Sequence, residues 1–456
     1  MLTWEKLLNH DRRKAMHGGR ESMGTGVGRT EFERDYDRIL FAAPIRRLSD
    51  KTQVFPMEEN DSIRTRLTHS HEVSNLARSI GVRLAFEHAE RVFGKNHEML
   101  GVKRNVPSLL AAVGLAHDLG NPPFGHQGEI AIQQWFVEKE FKEDIDIDFT
   151  EFDGNAQTFR LLTRLQVLND QYGLNLTVGT LAGLIKYPSI YGASNKGGFK
   201  KFGVFKSEGA IIGDVWKHTS LEEGVRHPLA YVMEACDDIA YSIIDAEDTV
   251  KKGYASFYDL MDYLKSFDSE DIIIDDVVNT ARKKNEVFKA DSLSSCELND
   301  ISMQMFRVKA ISVMVEAATN VFVENIDKMM AGTIEPGFEL IKNSNCAKLC
   351  KASKEFDFRY GFQHKEVLRL ELQGNNYIKN MMSMLWKAIE NDGKSDKPFE
   401  RYAFGTISEN YRRVYNASDK AMYDKCQLLC DTISGMTESY LIKKHNELKS
   451  LENVST

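Results

Sequence analysis

The chain has 456 residues, 42% of them hydrophobic and 28% charged, with a formal net charge of −8. That length allows one large or two to three ordinary folded units, and the composition is that of a globular protein in water. The mixed-sign charge argues against a general nucleic-acid binder, and the lack of an apolar run of about 18 residues excludes a transmembrane helix.

Residues 1–29 read as a mobile arm: MLTWEKLLNHDRRKAMHGGR lacks the apolar centre of a signal peptide, and 17–29 is glycine-rich. From there on, long segments repeat apolar residues at helical spacing. In 69–93, Val73, Leu76, Ala77, Ile80, Leu84 and Ala85 form one stripe, and 107–119, 155–168, 228–251, 257–267, 302–331, 375–391 and 417–447 behave alike. Segment 184–205, LIKYPSIYGASNKGGFKKFGVF, reads as a small hairpin or loop carrying lysines. The acidic and then polar stretch 267–300 reads as a boundary. The expected fold is therefore all-α, with a helical core over 30–270 and a helical C-terminal region over 271–456. The six cysteines form no CxxC pair, which suits free thiols in a reducing cytoplasm.

Chemistry concentrates in AAVGLAHDLGNPPFGHQGE at 111–129, where an apolar run ends in His117-Asp118, breaks at Pro122-Pro123, and resumes with His126 and Glu129. The polar atoms of His117-Asp118 need partners, and two other segments offer them. RTRLTHSHEV at 64–73 places His69 at the start of an apolar helix, with Arg66 three residues earlier. AYVMEACDDIAYSIIDAED at 230–248, taken as a helix, sets Asp237, Tyr241, Asp245 and Asp248 on one face. Carboxylates on one stripe repel unless a cation lies among them. His69, His117, Asp118 and an aspartate of the 237/238 pair thus make a donor set for a divalent ion such as Mn, Fe, Co, Ni or Zn, with coordination positions left open as in a catalytic site. Taken singly each piece is ordinary; the order of the four on successive apolar helices is what carries the reading.

That order, His69…His117-Asp118…Asp237, resembles the HD-domain superfamily of metal-dependent phosphohydrolases, and the surrounding words resemble its dGTPase-like branch, the deoxynucleoside triphosphate triphosphohydrolases. The matching words are RDYDRILFAAPIRRLSDKTQVF at 34–55, RTRLTHSHEVSNLAR at 64–78, AHDLGNPPFGHQGE at 116–129 and FDGNAQTFRLLTRL at 152–165. LIKYP at 184–188, KKFGVFKSE at 200–208, EACDDIAYSIIDAED at 234–248 and ISGMTESY at 433–440 complete the set. The resemblance implies an HD-domain core in which His69, His117, Asp118 and Asp237 hold one divalent metal per subunit, Mn or Mg foremost. It implies His126 and Glu129 as the catalytic pair. Gln53, Arg66, Asn155, Lys186, Tyr187, Lys201, Tyr241 and Asp245 match positions facing the sugar and phosphates of a nucleotide. His71 departs from the pattern, standing beside His69 where relatives usually carry an apolar residue.

The implied reaction is hydrolysis of a dNTP, dGTP foremost, to deoxynucleoside and inorganic triphosphate, in the control of dNTP pools. The implied partners are further copies of the chain, as a hexamer or another even assembly, and a dNTP effector at a second site; weak single-stranded DNA binding through the basic words at 34–47 and 196–206 is a further expectation. The alternatives are another HD phosphohydrolase, either a 5′-nucleotidase or a phosphodiesterase, and a non-catalytic nucleotide- or ssDNA-binding module.

Overall fold

Helical spacing in the sequence becomes helix almost everywhere it occurs. The computed structural model describes residues 2–19, 28–58, 60, 62–141, 148–166, 170–193 and 198–454, and among these no named strand occurs. Eight helices carry the argument: α1 (Arg66–Glu87), α2 (Val102–Ala116), α3 (Gly125–Glu138), α4 (Pro228–Lys251), α5 (Ser295–Ala331), α6 (Lys365–Glu390), α7 (Met422–Ser434) and α8 (Glu438–Val454). The fold is all-α, as expected.

At the centre, α1 packs along α2, and α4 lies against both. The approach of α1 to α2 is close because Gly114 presents no side chain: a Cβ there would stand 2.8 Å from the Cα of Ser74. Helix α4 starts with Pro228 at a position that needs no amide donor, and it is buried along most of its length. This helix joins the two halves of the chain by packing on α5 as well.

The stretch at 267–300, read from the sequence as a boundary, is largely helical. Asp271 caps a helix over Ile272–Phe288, whose Ile274, Val277, Val278 and Ala281 are buried, and this helix packs on α5. Its acidity belongs to one face while apolar residues line the other. Apolar packing is continuous from Leu2 to Leu448, so the two halves share one core. The buried guanidinium of Arg160 stitches them further, pairing with Glu208 at 2.7 Å and with Asp431 on α7 at 2.7 Å.

The N-terminal segment also differs from the expectation. Leu2, Trp4, Leu7 and Leu8 are buried, Trp4 Nε1 donates to the Val92 carbonyl at 2.7 Å, and Arg12 pairs with buried Asp35 at 2.7 Å. Residues 2–8 are thus anchored by apolar burial and Arg12 by its ion pair; 20–27, the later part of the expected arm, lie outside the described residues. The segment 184–205 is a loop with one isolated parallel bridge between Ile190 and Val204, and 194–197 lie outside the described residues. The expected helix over 417–447 is two helices, α7 and α8, broken at Gly435-Met436-Thr437. Glycine favours the break, and the Thr437 hydroxyl accepts from the Tyr440 amide to start α8. No described helix is long and apolar enough to cross a membrane.

Candidate active site

Three elements of the core converge on one point. The first turn of α1 supplies His69, 1% exposed, and Arg66 stands one turn earlier. The C-terminus of α2 supplies His117, followed at once by Asp118. The middle of α4 supplies Asp237. Donor atoms of His69, His117 and Asp118 all lie within 4.8 Å of one another. Asp237 Oδ1 stands 3.3 Å from His69 Nε2 and 3.6 Å from His117 Nε2.

The chemistry of this cluster fits a divalent cation. His117 Nδ1 donates to the Gly114 carbonyl at 2.7 Å, which in the neutral ring leaves the lone pair on Nε2. That Nε2 is buried and has no hydrogen-bond partner. Burial opposes a charge on His117, yet Asp118 and Asp237 outweigh it and push its pKa up to about 9. Burial likewise opposes ionised Asp237, but the facing imidazoles of His117 and His69, with Lys186 beyond them, hold it well below the usual carboxylate range. Two carboxylates that draw positive charge toward two imidazole nitrogens make a donor set that could hold a divalent cation.

Side-chain direction separates the members of both ambiguous pairs. Asp238 turns away from the cluster and accepts from Lys354 Nζ at 2.6 Å, leaving Asp237 as the inward carboxylate. His71 is exposed, while His69 is buried in the cluster. His71→Ala is accordingly expected to change metal content and turnover by less than about twofold, as for a surface residue without partners; elemental analysis and steady-state rates check it.

Beyond Asp118 the chain turns through Pro122-Pro123 and Phe124, whose φ is 62°, into α3. Gly125 suits this turn: its φ is +53°, which strains other residues, and a Cβ there would stand 2.7 Å from Arg66 Nη2. Arg66 passes through this gap to pair with Asp118, and its Nε donates to the Thr52 carbonyl at 3.1 Å. The first turn of α3 then carries His126 and Glu129. His126 Nδ1 lies 3.1 Å from Glu129 Oε2, and Glu129 Oε1 accepts from the Gly154 amide at 2.7 Å. The hydrogen bond to Glu129 raises the His126 pKa, against burial and the nearby Lys201. The imidazole itself is 72% exposed, open to the cavity beside it.

That cavity has a volume of about 530 Å³ and is lined by Gln53, Arg66, Asp118, His126, Glu129, Asp237 and Tyr241. It joins this cluster to the His126–Glu129 pair. A match to the HD domain model covers residues 66–165, and a match to the phosphohydrolase-associated domain model covers 342–447. The chain is 34% identical over 479 aligned residues to a deoxyguanosinetriphosphate triphosphohydrolase-like protein of Listeria monocytogenes, covering 99% of this chain and 100% of the relative. It is 30% identical to a Synechocystis protein of the same description, covering 99% and 100%. To a deoxyguanosinetriphosphate triphosphohydrolase of Salmonella schwarzengrund it is also 30% identical, covering 92% and 94%. The chain belongs to the dGTPase-like family of HD phosphohydrolases.

Within this HD phosphohydrolase the remaining expected residues lie around the cavity rather than on its lining. Lys201 Nζ donates to Asp153 Oδ2 at 2.6 Å and stands 3.7 Å from Glu129 Oε2. Asn155 Nδ2 donates to the other oxygen of Asp153 at 2.7 Å. Lys186 reaches Glu234 at 3.6 Å and Asp237 Oδ2 at 4.0 Å, and Tyr187 packs edge-on against Phe199. Asp245 is buried one turn past Tyr241, neither carboxyl oxygen has a hydrogen-bond partner, and burial followed by Asp357 and Asp248 pushes its pKa far up.

The opposite wall of the cavity escaped the sequence reading. Phe358, Phe362, Gln363, Leu368 and Glu371 line it, from a π turn over Phe358–Phe362 and the start of α6. The ring of Phe362 stacks on Tyr241 with centroids 6.1 Å apart, and Lys354 Nζ lies 5.4 Å from the Tyr241 centroid. The only local signal was the aromatic density of FDFRYGFQH at 356–364, which core packing would explain equally well.

Proposed function

We propose that this protein is a deoxynucleoside triphosphate triphosphohydrolase that cuts a dNTP, dGTP foremost, between the α-phosphorus and the 5′ oxygen. The observation that supports it most is the single cavity shared by the four-donor centre, the His126–Glu129 pair and Tyr241. His69, His117, Asp118 and Asp237 would hold one divalent ion, Mn or Mg foremost. When bound, that ion supplies Lewis-acid charge that draws electron density from an α-phosphoryl oxygen.

The chain's own groups do the rest. Arg66, planar and already anchored on Thr52 and Asp118, grips phosphate oxygens at two points, while Lys186 and Lys201 supply point charges toward the polyanion. His126 exchanges a proton through its free Nε2 with the attacking water or with the departing 5′ oxygen, and Glu129 holds its Nδ1. Water enters, the bond from phosphorus to the 5′ oxygen breaks, and the products are deoxynucleoside and triphosphate.

On the sugar side, Gln53 bonds the 3′ hydroxyl, Tyr241 closes over the 2′ carbon, and Asn155, Tyr187 and Asp245 brace the surrounding walls. Tyr241→Ala is expected to lower the preference for dGTP over GTP at least about tenfold in kcat/KM, because only steric crowding rejects the extra hydroxyl. Paired turnover assays on the two nucleotides check it. On the base side, Phe358 and Phe362 offer ring faces, and Glu371 offers an acceptor to the N–H edge of guanine.

The same reading includes an even-numbered homo-oligomer such as a hexamer, a dNTP effector at a second site, weak ssDNA binding and a cytoplasmic role in controlling dNTP pools. The deciding experiment incubates metal-loaded protein with each dNTP and identifies products by ion-exchange chromatography. Triphosphate release supports the proposal. Release of orthophosphate or pyrophosphate assigns another HD phosphohydrolase activity, and nucleotide binding without turnover assigns a binding module.

A further inference from the structure

The word ISGMTESY at 433–440 supplies no group to the proposed reaction, yet the turn it forms between α7 and α8 is bonded to two separate segments that line the cavity. At its centre is Glu438, 4% exposed. Its Oε1 accepts from the Thr52 amide at 2.6 Å and from the Phe124 amide at 3.0 Å. Its Oε2 accepts from the Thr52 hydroxyl at 2.6 Å and from the Met57 amide at 3.4 Å. The same two segments are bridged again by Lys51, whose Nζ donates to the carbonyls of Asn121 at 2.6 Å and Ser434 at 2.7 Å. Arg47 holds the Gly435 carbonyl at 3.1 Å, and the Ser439 hydroxyl donates to Asp50 at 2.9 Å.

What these bonds fix is the placement of reacting groups. Thr52 precedes Gln53, and its carbonyl anchors the Arg66 guanidinium. Phe124 holds the left-handed turn from which α3 launches His126 two residues later. Neither segment contains regular structure long enough to hold itself, so a common acceptor decides their separation. A carboxylate meets four donors with two oxygens; an amide of the same shape would turn an NH₂ group toward backbone N–H donors. Hydrogen bonds to an ionised acceptor are also short and directional, which suits them to holding geometry.

We propose that Glu438 is a positioning residue for the reaction, tying the Thr52–Gln53 wall to the Phe124 turn that aims His126. It rests on the triphosphohydrolase reading, and its test separates the two. The full-length protein carries Glu438→Gln or Glu438→Asp. Four readouts are taken: metal content, thermal midpoint, kcat and KM for dGTP, and the ring resonance of His126 by NMR, assigned with His126→Asn. For folded, metal-loaded Glu438→Gln, kcat falls at least about tenfold and the His126 resonance moves, while Glu438→Asp regains part of the loss because it restores the charge.

The proposal is overturned if kcat per folded, metal-loaded molecule stays within about twofold of wild type, or if the two variants lose activity only in step with their folded fraction. Should Glu438→Gln fail to fold, Thr52→Val decides by the same readouts, since it deletes one donor and keeps the backbone bond. If wild type releases no triphosphate from any dNTP, the proposed function falls. The His126 resonance then judges Glu438 alone: movement in Glu438→Gln supports it, and no movement overturns it.

Discussion

His117→Ala is expected to leave a folded protein that has lost its divalent metal and at least about 100-fold of its hydrolytic rate. Loss of an outer partner of a metal ligand alone weakens binding or activity by about 10- to 100-fold, so loss of a ligand should exceed that. The geometry singles out His117 among the proposed ligands: its Nδ1 is committed to Gly114, and its buried Nε2 has no hydrogen-bond partner. Folding should survive, because the carboxylates keep other partners. Asp118 retains Arg66 and the Asn121 amide at 2.9 Å, and Asp237 retains His69 at 3.3 Å. Elemental analysis, circular dichroism and dGTP turnover on the same preparation separate the two effects. Retention of full metal and full rate would reduce the cluster to a buried polar network.

The site was legible in the sequence where its residues ride on helices whose burial fixes their direction. His69, His117 and Asp237 each interrupt an apolar stripe, so the stripe itself states which way they point. The choice of Asp237 over Asp238 followed from the shared face with Tyr241, and Lys354 claims Asp238 on the other side. The second wall of the cavity was not legible, because Phe362, Gln363 and Glu371 meet Tyr241 only through tertiary packing of the π turn. No local spacing encodes which distant turn faces a given helix. A similar limit applies to Glu438, whose partners Thr52 and Phe124 are ordinary polar backbone until the chain folds.

Two segments whose helices the sequence did not announce share a cause. In 267–300 the acidic residues concealed the stripe of Ile274, Val277, Val278 and Ala281. In the first nineteen residues the charges concealed Trp4, Leu7 and Leu8, which recur at helical spacing, and Leu2 beside them, all of which are buried. Charge at high density reads as solvent exposure, yet one apolar face suffices to dock a helix. The two halves of the chain consequently form one core, which is why a turn near the C-terminus can reach the wall beside His126.

His126→Gln is expected to lower kcat by about 100- to 10,000-fold, the span of a lost general acid or base, with metal content unchanged. Its neighbour supplies a finer test through pH. Glu129 raises the His126 pKa above its ordinary value by accepting from Nδ1 and favouring the charged ring. Glu129→Gln removes the negative charge and keeps the shape, so His126 gives up its proton at lower pH. Lys201, 3.7 Å from Glu129 Oε2, opposes the charged ring further once the carboxylate is gone. If His126 acts as a base, activity falls as pH drops through its pKa, and that acid limb moves to lower pH in the variant. If it acts as an acid, activity falls as pH rises through the same pKa, and that alkaline limb also moves to lower pH. The direction is therefore common to both roles, while the limb that moves tells them apart. A profile of kcat/KM against pH that keeps both limbs in place in Glu129→Gln would remove the pair from the proton transfer.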